Sequence, residues 1–115
     1  MQSDLIKYSI SAKISLLPTE LGGRKKSILT GYKPAFAFNT SNHYSGEIRL
    51  VGRKELRPGD SASVVIRLLP ARTIRKTLKP NDAFIIAEGS KTIGSGIIEK
   101  VRVLPDQSKK EHVTS

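Results

Sequence analysis

Cysteine is absent from this 115-residue chain, which excludes a disulfide framework and a thiolate metal site. Long apolar runs are missing too. Hydrophobic residues make up 37% of the chain and fall in short stretches, none near the roughly 20 residues that a membrane helix needs. Met1 to Lys7 show no basic segment leading into an apolar one, so no signal peptide is expected. Histidine is scarce: His43 sits in a loop, His112 lies near the end, and no motif relates them. His43 therefore reads as a solvated loop residue rather than a metal ligand. Asp60, Asp82 and Glu88 all fall in turns, where carboxylates cap backbone donors rather than pair for acid–base work. The phosphate-cradling pattern Gly-x-x-x-x-Gly-Lys-Ser/Thr does not occur, so no nucleotide is expected to bind. The expectation is a cytoplasmic non-enzyme with no cofactor, no metal and no membrane partner.

Acidic charge is the other shortage. Ten Asp and Glu face twenty Lys and Arg, a formal net charge of +10. Part of such an excess keeps a small domain soluble and blunts exposed strand edges. A balance this large also favours polyanions, and that reading stands slightly ahead. The cations are not spread evenly. Arg24, Lys25, Lys26 and Lys33 occupy the stretch from Gly22 to Thr40, which has no acid. A second cluster, Arg67, Arg72, Arg75, Lys76 and Lys79, falls where residues 61–81 contain no acid either. Loop cations on a rigid scaffold suit phosphate contacts, which position a nucleic acid without reading its sequence. Tyr32 and Tyr44 lie near these loops, but aromatics are only 5% of the chain. Tyr32 therefore reads as a packed turn residue before a stacking platform, since single-strand binders use several rings.

Alternation supplies the architecture. Ile6, Tyr8, Ile10, Ala12, Ile14 and Leu16 alternate with polar residues up to Pro18, the pattern of a long half-buried strand. Phe36 and Phe38 share one face of a short strand over residues 34–38. Ile48 and Leu50 alternate with Glu47 and Arg49, and Ala62, Val64, Ile66 and Leu68 form a further set. Arg57-Pro58-Gly59-Asp60 reads as a turn. The last strands run from Phe84 to Ala87 and, after the turn Glu88–Lys91, on to Val103. Gly94 and Gly96 inside the final strand point to a bulge or a close approach of another backbone. No segment keeps a 3.6-residue period, so the expected fold is all-β, an antiparallel barrel or sandwich of about six strands. Ile10, Ile14, Phe36, Phe38, Ile48, Val64, Ile66 and Phe84 are the expected core. The barrel should span residues 1–105, with residues 106–115 a polar, disordered tail.

Several blocks together resemble one family. Gly22-Gly23-Arg24, then Gly31-Tyr32-Lys33-Pro34, then Phe36-Ala37-Phe38-Asn39-Thr40 are similar to the GGR, GYRP and aromatic-strand entry of the third, C-terminal domain of elongation factor Tu. Arg57-Pro58-Gly59-Asp60 resembles that family's MPGD turn, and Glu88 to Ile98 its EGGRTVGAGVV closing hairpin. The likeness covers about residues 4–104 and implies a six-stranded antiparallel β-barrel. In the family this barrel grips the T stem of tRNA, largely through phosphates and sugars. By match, Arg24, Lys33, Ser45, Glu88 and Gly89 would carry that grip. Ala35 stands where the family has glutamine, and Leu69 where it has a basic residue before proline.

Three functions fit this reading. The first is a barrel that binds structured, tRNA-like RNA through Arg24, Lys25, Lys26, Lys33, Ser45, Glu88 and Gly89. The second is a protein-interaction module that occupies a protein partner of elongation factor Tu. The third is a domain of a longer translational GTPase, or its severed descendant.

Overall fold

The computed structural model describes residues 6–38, 43–71 and 78–104. Residues 105–115, which include the expected tail, lie outside them, as do Arg72, Arg75 and Lys76 of the second basic cluster. The strands are β1 (Ile6–Leu16), β2 (Ile28–Leu29), β3 (Ala35–Ala37), β4 (Tyr44–Leu50), β5 (Glu55–Leu56), β6 (Ser61–Ala71), β7 (Ala83–Glu88) and β8 (Lys91–Leu104). Six of them close into one antiparallel barrel in the order β1-β6-β4-β3-β7-β8, with β8 pairing back onto β1. Closure leaves no free barrel edge, which removes the pairing hazard of an open sheet.

The alternation in β1 becomes two faces because successive side chains on a strand point to opposite sides. Ile10, Ala12 and Ile14 are wholly inside, while Lys13 and Ser15 are exposed. The whole expected core is buried, and Phe36, Phe38 and Phe84 form its aromatic centre. The rings of Phe38 and Phe84 lie 5.3 Å apart between centroids, within the range of favourable tilted packing. Gly96 makes room for that centre: a Cβ there would come within 2.4 Å of the Phe84 ring. Gly94 lies under the backbone of β1, where a Cβ would meet the Ser15 carbonyl oxygen at 2.6 Å. Between these strands the register shifts, since Ile86 pairs with Gly94 but Ala87 with Thr92. The final strand therefore has both a bulge and a close backbone approach. The turn after β5 closes with the Asp60 N–H donating to the Arg57 carbonyl at 3.0 Å.

Two features depart from the sequence reading. β2 and β5, which no alternating set marks, pair as a separate two-stranded sheet and send Ile28 and Leu56 into the core. A single 3₁₀ turn over Thr19–Leu21 is the one helical element among the described residues. Both are two or three residues long, too short for periodicity to register. Among the described residues no helix is long and apolar enough to cross a membrane.

Candidate functional site

The loop from Gly22 to Pro34 is pinned before its cations are displayed. The 3₁₀ turn ends at Gly22, and the Gly23 N–H donates to the Pro18 carbonyl at 2.9 Å. A Cβ at Gly23 would lie 2.1 Å from the Leu17 carbonyl oxygen, so only glycine fits where the chain folds back on itself. Thr19 Oγ1 donates to the Arg24 carbonyl at 2.6 Å, which orients the next residue.

Arg24 is then fully engaged. Its Nε donates to the Lys26 carbonyl at 3.1 Å and Nη2 to the Ser27 carbonyl at 3.5 Å, drawing the basic turn around the guanidinium. Nη1 makes an ion pair with the Glu88 carboxylate and reaches the Tyr32 hydroxyl at 3.4 Å. The guanidinium carbon stands 4.8 Å from the centre of the Tyr32 ring, a cation–π distance. Tyr32 completes the network by donating its hydroxyl to Glu88 Oε2 at 2.5 Å. Burial raises the Tyr32 phenol well above its ordinary value, and the hydrogen bond to Glu88 and that carboxylate's charge push the same way, against Arg24. Glu88 leads into a two-residue turn, Gly89–Ser90, with Glu88 paired to Lys91 and Gly89 at a φ of 60°.

This arrangement changes the roles of the candidate residues. Arg24, only 21% exposed at its side chain, is a strut between loop and hairpin rather than a free cation. Lys25, Lys26 and Lys33 remain exposed, with no ion pair among the described residues. The Tyr32 ring packs against the core with Arg24 on its face, and Tyr44 lies 6.4 Å from Phe38. Tyr32 is thus a packed residue and offers no open face for a base. His43 is exposed beside β4, and no group of three potential ligands gathers among the described residues.

The barrel also aligns the positions singled out for polar grip. Ala35 pairs with Ala87 on one side and with Ser45 on the other. Since Gly46 pairs with Leu68, Ser45 stands abreast of Leu69, which is exposed. Ala87, Ala35, Ser45 and Leu69 thus form one row beside Glu88 and Gly89. In the second cluster, Arg67 pairs with Glu47 and Ser9, and Ser9 with Arg102, whereas the turn after Lys79 is tied to Ile98. The part of β8 between those pairings, Ile98 to Arg102, spans on the order of 13 Å, so the two do not share a row.

Residues 6–102 match the model of the elongation factor Tu C-terminal domain. The chain belongs to this family. Its closed six-stranded barrel is the architecture that membership implies, and the domain is translation-factor-like. Within the family frame, Arg24 and Glu88 belong to separate sequence blocks, and the fold joins them. The two departures from the family pattern, Ala35 and Leu69, flank Ser45 in a single row. The sequence pointed to Arg24 and Glu88 singly; nothing local in it signalled that they pair.

Proposed function

We propose that this barrel is a non-catalytic, cytoplasmic module of translation that binds the backbone of structured, tRNA-like RNA. Lys25, Lys26 and Lys33 supply the cations, while Ser45 and Gly89 supply hydroxyl and backbone contacts. Arg24 and Glu88 hold the rim in shape. The observation that carries this reading is the exposed Lys25–Lys26 turn, whose backbone is fastened to the anchored Arg24 guanidinium, with the exposed Lys33 following Tyr32. A preorganised turn loses little conformational freedom when it meets a phosphate, and contacts of this kind hold a duplex by shape. The test is a titration of labelled tRNA across salt concentrations with wild type and Lys25→Ala/Lys26→Ala/Lys33→Ala. The triple change should weaken binding to all RNA duplexes similarly and flatten the salt slope by about 2–3 units. Equal binding by both proteins at every salt rejects the reading.

A second reading rests on the row Ala35–Ser45–Leu69. Small and apolar side chains there favour a protein surface over phosphates, as expected of a module that occupies a protein partner of elongation factor Tu. Weak RNA binding at physiological salt, together with saturable binding to one purified partner, would favour it.

A further inference from the structure

A second basic surface lies on the outer wall of the barrel. Around the closed sheet β1 is the strand opposite β3, so a wall centred on β1 faces away from Ala35, although the row that holds Ala35 reaches the edge of this wall at Leu69 on β6. Register assembles that wall from distant parts of the chain. Arg67, Ser9 and Arg102 stand in one row across β6, β1 and β8. Val65, Ser11 and Lys100 stand in the next. Lys7 and Lys13 continue the outward side of β1 beyond these rows. Arg67, Lys100, Arg102 and Lys13 are exposed and have no ion pair among the described residues. Among the described residues the acids that adjoin these rows are Glu47, which pairs with Arg67 and whose carboxylate lies 3.5 Å from Arg49, and Glu99 beside Lys100.

We infer that this wall is a second, independent binding face for the phosphate backbone of duplex RNA. Neighbouring strands are about 4.8 Å apart and alternate residues about 6.7 Å, so the long cationic side chains cover a broad, regular surface on a rigid frame. Serine hydroxyls lie between the cations, and hydroxyls share with Arg and Lys the task of contacting phosphate and sugar. A protein partner would want a desolvated apolar centre depleted of charge, whereas the centre here is Ser9, Ser11 and the half-buried Val65 among cations. A membrane surface would want aromatic or bulky apolar side chains around the basic ones; the two rows contain only Val65, and the exposed Leu69 and Ile97 lie at their margins. The face shares no residue with the lysine rim, so each set can be changed alone.

The test uses the full chain and a short RNA duplex of arbitrary sequence. Arg67→Gln/Lys100→Gln/Arg102→Gln should weaken binding at least about tenfold at low salt and reduce the salt slope by about 2–3 units. Its melting temperature should match wild type, because the changed side chains are exposed. The same triple change made in the Lys25→Ala/Lys26→Ala/Lys33→Ala protein should remove the duplex binding that remains there, which separates this face from the rim. Unchanged affinity and slope in both backgrounds would overturn the inference. So would competition by poly-glutamate at equal charge as effective as that by duplex, or tighter binding to phosphatidylserine vesicles than to duplex.

Discussion

Arg24 and Glu88, 64 residues apart, form an ion pair under the hydroxyl of Tyr32 and lock the basic loop to the closing hairpin. Neither side chain is fully exposed, so the pair is better sheltered than most surface ion pairs, which contribute little. Glu88→Gln should lower stability by about 1 kcal/mol, a fall of a few degrees in melting temperature. It should also weaken RNA binding, since the turn that carries Lys25 and Lys26 loses the anchor that preorganises it. Parallel melting and tRNA titration measure the two effects, and their common sign identifies a strut.

Tyr32 makes the same network sensitive to alkali. Its phenol loses a proton less readily in the folded chain than in the unfolded one, whose value is near 10.0. A group with a raised folded value stabilises fully below the unfolded value and loses that contribution as pH rises through the folded one. Stability should therefore fall above pH 10, as the unfolded tyrosine ionises first. Tyr32→Phe should lower stability by about 1 kcal/mol at neutral pH. Denaturant midpoints measured from pH 8 to 11 should also show a shallower alkaline decline in that variant.

Restoring the family pattern offers a gain-of-function prediction. Ala35→Gln/Leu69→Lys places an amide and a cation on either side of Ser45. If the row faces RNA, the double change should tighten tRNA binding several-fold and steepen the salt slope by about one unit. No change in either quantity would assign the row to a protein partner.

Gly96 tests the core. Its missing Cβ leaves the space that the Phe84 ring and Ile14 Cγ2 occupy, at 2.4 and 2.9 Å. Gly96→Ala should cost about 1–3 kcal/mol through overpacking, seen as a lower urea midpoint. Ser95→Ala, one residue away on the exposed side, should change it little.

Period two and local turn chemistry account for everything that was legible along the chain. Ile10 and Ile14 had to point away from Lys13 because a strand alternates, and Arg57 to Asp60 had to turn because of Pro58 and Gly59. Glycine at 94 and 96 already announced a crowded strand. The cations at 24, 25, 26 and 33 were equally legible as charge, but their separate duties were not. Arg24 differs from Lys25 only through Glu88, brought beside it by the β7–β8 hairpin and by the anchored loop. Strand pairing alone made Ala35, Ser45 and Leu69 neighbours, and it gathered Arg67, Ser9 and Arg102 from three strands. β2 and β5 stayed hidden because two residues cannot display a period. Side-chain direction is a property of neighbouring residues, whereas partnership across a sheet depends on register and on the order in which distant strands close.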